Sequence, residues 1–293
     1  MQEENDQQMR LIIITGFSGS GKSVALHTLE DRGYYCIDNL PVFLLPAFAD
    51  EISSRREARF FRTAVGIDAR NPSSDLRSIE SMLAPLKARH LKYEIVFLEA
   101  HDDTLIKRFS ETRRKHPLSG DNRPLAEAIT LERQLLKPFL HAADLCLDTT
   151  HTTVHQLRQI ISERLGSRPA GTMSLLFLSF GFKYGVPRDA DYVFDARVLP
   201  NPHWDPALRP LTGQDQAVAE FLNGNERVKR FRGEVIGFLD EWIGHFEGDG
   251  RNYLTVAIGC TGGQHRSVYL AEQMAGHFRD NGRAALVRHR ELS

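Results

Sequence analysis

Gly16, Phe17, Ser18, Gly19, Ser20, Gly21, Lys22 and Ser23 spell G-x-x-x-x-G-K-S directly after the apolar run 11–14. Glycines at these places let successive backbone N–H groups turn inward around phosphate oxygens, while the lysine reaches the β- and γ-phosphates and the serine hydroxyl ligates Mg²⁺. The helical pattern that follows, VALHTLEDRG, adds the positive end of its dipole. This is a loop for ATP or GTP with Mg²⁺, Lys22 acting on the phosphates and Ser23 on the metal. Phosphoryl chemistry also needs an acid at a strand end, and three stand there: Asp38 after YYCI, Asp68 after TAVGI and Glu99 after EIVFL. Glu99 best fits the apolar strand followed by an acid, and Asp38 lies where small kinases of this type place an acid for substrate or metal. A helix cap or a solvated strand end is the alternative for each. Arg113 and Arg114 end a helical pattern, either as a lid over transferring phosphate or as an exposed basic helix end.

A second constellation lies at 253–267, YLTVAIGCTGGQHRS. An apolar strand runs into Cys260, Thr261, Gly262, Gly263, Gln264, His265 and Arg266, and a helix opens behind them. Backbone donors, a helix N-terminus and a guanidinium converge there, which suits a phosphate monoester. Cys260 and Arg266 are also spaced C-x5-R, as in phosphatases that use a cysteine thiolate, although that chemistry further requires a general acid. The proline-rich segment 195–213 carries Asp195, Arg197, Asn201, His203, Trp204, Asp205 and Arg209. Long loops this rich in polar groups commonly carry function, and His203 and Arg209 are expected to face the second site.

These residues need a scaffold, and the first half alternates short apolar runs with helical patterns. Strands are expected at 11–15, 34–37, 60–67, 93–98 and 144–147, with a helix at 153–165 closing the half. That alternation predicts an α/β fold: an N-terminal P-loop NTPase sheet, kinase-like and parallel, with helices on both faces and the phosphate loop at the carboxyl ends of its strands. The turn DLCLDTT resembles the strand and loop that pack on adenine in nucleotide kinases. The small, polar stretch 166–172 reads as a boundary, giving a nucleotide-binding domain at 1–166 and a second domain at 167–293. Strands at 175–180, 192–194 and 253–258, with helices at 215–223, 227–245 and after Ser267, make the second domain α/β as well, with its own phosphate-binding glycine loop.

Composition excludes several classes. Apolar residues are 41% and charged residues 26% of the 293, and no apolar run approaches the ~20 residues of a membrane span. The start, MQEENDQQ, lacks the basic and apolar parts of a leader, which points to the cytoplasm. Cys36, Cys146 and Cys260 form no C-x-x-C pair, so neither a disulfide framework nor a standard zinc site is indicated. With a net charge of −1, no global positive field advertises nucleic acid, and an RNA site would have to be local.

With both glycine loops in view, the chain resembles the RapZ family over its whole length, through GFSGSGKSVALHTLEDRGYYCIDNLP, the DARN of Asp68, Ala69, Arg70 and Asn71, FGFKYGVP, DYVFDARVLPNPHWDPALRPLTG and VAIGCTGGQHRSVYLAEQ. The resemblance implies weak ATPase and GTPase activity in the first domain, with Gly16 to Ser23 as the ATP loop and Asp68 to Asn71 as the segment assigned to GTP. It implies a second domain that senses glucosamine-6-phosphate through His203 and Cys260 to Arg266. It further implies small-RNA binding, presentation of RNA to RNase E, and a homotetramer. RNA-binding relatives carry a basic cluster at the extreme C-terminus, whereas this chain ends in HRELS; Arg266, Arg279, Arg283, Arg288 and Arg290 remain as a local patch or a solvated face. A regulatory adapter, a small-molecule kinase and a cysteine phosphatase are therefore the three competing functions.

Overall fold

The computed structural model describes residues 9–55, 57–77, 79–88, 91–112, 114–119, 123–166 and 173–292. Arg113, the polar stretch 1–8 and most of the expected boundary, 167–172, lie outside them. The chain divides into two compact units, Met1–Gly166 and Ser167–Ser293.

The first unit runs β1 (Arg10–Gly16), α1 (Lys22–Glu30), β2 (Tyr35–Ile37), α2 (Leu45–Arg55), β3 (Arg62–Gly66), α3 (Ser73–Arg77), α4 (Ile79–Ala88), β4 (Lys92–Glu99), α5 (Asp102–Thr112), α6 (Leu125–His141), β5 (Leu145–Asp148) and α7 (Val154–Arg164). Its five strands are all parallel, in the order β2-β3-β1-β4-β5. β1, RLIIITG, is buried from Leu11 onward, as a central strand covered on both faces must be. Because β3 and β4 flank it, the chain leaves β1 at the point where the strand order reverses, the place where α/β sheets open a ligand crevice. The strand expected at 60–67 starts at Arg62, because Ala58–Phe60 forms a 3₁₀ turn that buries Phe60.

The second unit runs β6 (Ser174–Gly181), β7 (Tyr192–Asp195), α8 (Gln216–Asn223), α9 (Glu226–Gly248), β8 (Tyr253–Cys260), α10 (Arg266–Asp280) and β9 (Ala285–His289). Its four strands are also parallel, in the order β7-β8-β6-β9. The sequence reading had no strand at β9. Its ALVRH is short and basic, and only pairing with β6, which sets Leu178 opposite Arg288 and Ser179 opposite His289, makes it a strand. The core gathers Leu175, Phe177, Val256 and Ile258 from the sheet with Leu270, Met274 and Phe278 of α10. No helix among the described residues is long and apolar enough to cross a membrane.

Candidate functional site

The chain turns sharply at Gly16, where φ is 137° and a Cβ would overlap the backbone of Leu98 in β4. Only glycine fits that turn. Phe17 N–H then donates to Leu98 O at 3.0 Å and Ser20 N–H to Phe17 O at 3.0 Å, so the loop curls back over the sheet edge. α1 begins at Lys22 behind Gly21, and its first-turn amides lack intrahelical acceptors. Lys22 Nζ donates to Gly16 O at 2.7 Å. Burial pushes its ammonium pKa down, while Glu132, Asp68 and Asp38 pull it up.

The loop lines a cavity of about 670 Å³ together with Asp68, Arg70, Arg108, Phe109, Arg114, Thr149 and Val154, within the size range of small-molecule and cofactor sites. The Ser20 hydroxyl, in the lining of this cavity, is buried without a hydrogen-bond partner, a donor left over for a ligand oxygen. Ser23 and Asp68 face the same space and offer the hard oxygen donors that Mg²⁺ takes.

Of the three acids, Asp68 lines the cavity, held by Arg70 in a fork of 2.6 and 2.8 Å. Asp38 acts on Lys22 by charge alone and leans against Gly66 at the end of β3. Glu99, opposite Asp148 in the β4–β5 register, is not among the lining residues. The DARN segment divides. Asp68 and Arg70 share the cavity of the phosphate loop, whereas Ala69 is core and Asn71 is buried, accepting from Val42 N–H at 2.6 Å and donating to Asp68 O at 3.1 Å. Asn71 thus shapes the loop and does not reach the cavity.

Two residues escaped the sequence reading. Arg108 Nη1 donates to Gly19 O and to Thr149 Oγ1, each at 3.0 Å, and Nη2 to Thr149 O at 2.5 Å. It ties the phosphate loop to the loop after β5. Glu132 accepts from Ser18 N–H at 2.8 Å and from its hydroxyl at 2.7 Å. No motif marks Glu132, but it stands in phase with Ala128, Ile129, Leu135 and Leu136 on the buried stripe of α6, where a carboxylate is out of place.

The second cradle repeats the strand, glycine turn and helix of the first. β8 ends at Cys260, whose Sγ accepts from Gly263 N–H at 3.2 Å and lies 3.2 Å from Ser267 Oγ. Arg266 is only 4% exposed. Its Nη1 donates to the carbonyls of Arg197 and Leu199 at 2.9 and 3.0 Å, and Nη2 to Thr261 Oγ1 at 3.4 Å. The segment 195–213 is thereby fastened to the cradle. His265 Nε2–H donates to Leu208 O at 3.2 Å, and the His203 ring lies 6.3 Å from that of His265. Gly213 N–H closes the contact on Gln264 O at 2.8 Å. Arg209 Nε donates to His203 O at 3.1 Å, and Trp204 stands 78% exposed.

The arginines put forward for RNA are engaged within the unit. Arg266 is buried and directed at carbonyls, which takes it out of any exposed basic strip. Arg279 donates to Ala285 O at 2.7 Å, and Arg283 pairs with Glu247 at 2.8 Å. Arg290 pairs with Glu291 at 2.7 Å and donates to the carbonyls of Gly181 and Gly185 at 3.1 and 2.8 Å, and Arg288 sits within β9.

His265 gives this unit a pH dependence. Burial pulls its pKa below the ordinary 6.5, against the opposing pull of the Leu208 and Arg209 carbonyls. The unfolded chain therefore takes up the proton first as pH falls, and folded stability drops below about pH 6.5. Denaturation midpoints between pH 7.5 and 5.5 are expected to fall more steeply for the unaltered chain than for His265→Gln; parallel curves would show that His265 does not carry the effect.

Comparison with known proteins covers both units. The family model described as the RapZ-like N-terminal domain matches residues 9–168, and that of the RapZ C-terminal domain matches residues 173–293. A nucleotide-binding protein of Nitrosococcus oceani is 58% identical over 97% of this chain and 100% of its own length. One of Alkalilimnicola ehrlichii is 56% identical over 98% and 99%. Among solved structures, the shikimate kinase of Bacteroides thetaiotaomicron is 18% identical over 54% of this chain and 99% of its own, with a TM-score of 0.34. The tunicamycin resistance protein of Deinococcus radiodurans is 22% identical over 55% and 98%, with a TM-score of 0.38.

Proposed function

This chain belongs to the RapZ family, and on that premise we propose that it is a nucleotide-binding regulatory adapter that reads a phosphosugar with its second unit. One observation carries the reading: each unit holds its own strand, glycine turn and helix in succession, β1 to α1 in the first and β8 to α10 in the second. A kinase needs one such loop and an acceptor pocket beside it. Two separate loops are what a sensor of two phosphorylated ligands needs.

In the first unit the phosphates of ATP or GTP would be held by Gly19 to Ser23, with Lys22 neutralising their charge, and Mg²⁺ would be held by Ser23 and Asp68. When bound, the metal supplies positive charge on the phosphate oxygens. Arg114 lines the same cavity and can offset charge on a transferring phosphoryl group, which allows slow ATPase and GTPase turnover. In the second unit the amides of Thr261 to His265 and the first turn of α10 take the phosphate of glucosamine-6-phosphate or a similar phosphosugar, with His203 over the sugar. Small RNA, RNase E and a homotetrameric assembly in the cytoplasm complete the reading by family likeness.

Sequencing of RNA that copurifies with the protein tests the adapter role. A defined small RNA, lost on adding glucosamine-6-phosphate, is expected; recovery of no RNA above background removes the RNA arm. A phosphatase remains the second reading, favoured by the Cys260 sulfur at the base of its loop. Asp195, which acts on Arg266 by charge, is held by Arg197 at 2.6 Å instead of standing ready as a general acid. Phosphatase turnover unchanged by Cys260→Ser would exclude that chemistry.

A further inference from the structure

A buried carboxylate needs a reason, and Glu132 of α6 is 0% exposed. Burial alone would push its pKa up, yet it is held below the usual value by hydrogen bonding from His116, the charge of Lys22 and the two donors of Ser18. The carboxylate is therefore ionised inside the unit. Its two oxygens divide their partners: Oε1 takes the Ser18 hydroxyl at 2.7 Å, and Oε2 takes Ser18 N–H at 2.8 Å and His116 Nε2 at 3.1 Å. The tautomer of His116 follows from its other nitrogen. Nδ1 accepts from Leu118 N–H at 3.1 Å, so in the neutral ring the proton sits on Nε2 and is donated to Glu132.

The neighbouring residue grips the same loop. Arg133 lies 4.2 Å over the Phe17 ring, which meets Phe97 edge to face at 5.1 Å, and Arg133 also donates to Ala100 O at 2.8 Å. Consecutive residues of one helix thus hold consecutive residues of the phosphate loop. On the other side, His116 belongs to the segment between α5 and α6 whose Arg114 and Pro117 line the cavity. Its ring lies 5.2 Å from that of Phe109, which packs beside Gly19.

We propose that Glu132 is a positioning residue of the nucleotide site: its carboxylate fixes Ser18 in the phosphate loop and, through His116, the segment 114–119 that borders the same cavity. The inference rests on the nucleotide reading above. By taking the Ser18 amide away from the cradle, Glu132 sets the turn from which the following amides face the phosphates. Preorganised donors cost no rearrangement when charge arrives. A loop released from Glu132 has to be ordered by the ligand, which lowers affinity for phosphate and leaves contacts to the base untouched.

The test uses the full chain, with nonhydrolysable ATP and GTP analogues and with adenosine and guanosine as probes. Glu132→Ala is expected to weaken binding of the triphosphates at least tenfold while nucleoside binding stays within twofold. Glu132→Gln, which keeps an acceptor for Ser18 N–H, is expected to recover part of the loss. Adding Ser18→Ala to Glu132→Ala is expected to cost less than Ser18→Ala costs alone, because both act through one contact. Triphosphate affinity within twofold of the unaltered chain, an equal loss for nucleosides, or additive effects would overturn the proposal. So would loss of the folded first unit in both Glu132 variants, seen in the thermal transition, since the role would then be purely structural. If the unaltered chain binds no triphosphate while remaining folded, the nucleotide reading itself fails, and this proposal with it.

Discussion

Lys22→Ala is expected to abolish nucleotide binding while glucosamine-6-phosphate binding by the second unit stays intact. The Lys22 ammonium is half-buried, held on Gly16 O at 2.7 Å, and feels the charges of Glu132, Asp68 and Asp38, opposed by Arg70. Its removal deletes the cation that meets the phosphates and leaves three acids to repel them. Truncating one partner of a desolvated charge pair, here the lysine that meets the phosphates, costs about 2–5 kcal/mol, which is roughly thirtyfold to several-thousandfold in affinity. Calorimetry with each ligand on the same sample measures both terms. Loss of both ligands from a folded variant would mean that the two loops are not independent sites.

Gly213→Ala is expected to do the converse. A methyl group there would overlap the carbonyl oxygen of His265 and the amide nitrogen of Tyr269, the two partners of a first-turn hydrogen bond of α10. The segment 195–213 must then lift from the cradle, and with it His203 and the carbonyls that hold Arg266. Overpacking of this kind costs about 1–3 kcal/mol of stability, readable as a lower urea midpoint. The phosphosugar should bind at least tenfold more weakly and the nucleotide unchanged. Unaltered phosphosugar affinity would show that this segment does not form the site.

The α/β fold of the first unit was legible because its central strands are buried on both faces and its helices alternate with the strands, and the phosphate loop because glycine, lysine and serine must sit at fixed spacing. Glu132 was not, since a carboxylate in a helix is ordinary until the fold turns it inward onto Ser18. Asp68 and Glu99 follow apolar runs alike, and only the folded chain, in which Asp68 lines the cavity beside the phosphate loop and Glu99 does not, tells them apart. In the second unit, the polar residues of 195–213 correctly marked a loop against the glycine turn. Arg266, read as a phosphate ligand and an RNA contact, is buried away from any exposed basic strip and fastened to the carbonyls of Arg197 and Leu199, an anchorage that no local pattern reveals. β9 was hidden because a five-residue edge strand takes its identity from its partner.

The pairing of β6 also sets an order of events. Both of its neighbours, β8 and β9, come from far along the chain, so the first strand of the second unit waits beside none of its eventual partners while the intervening helices are made. β1, by contrast, has its first partner, β3, 52 residues on, although β4 lies about as far from it as β8 does from β6. Contacts between distant segments form slowly, and unpaired apolar strands are prone to associate with other chains in the interval. Aggregation during refolding should therefore originate in the apolar run SLLFLSF of β6, and the second unit, with its phosphate cradle, should be the last part of the molecule to become competent.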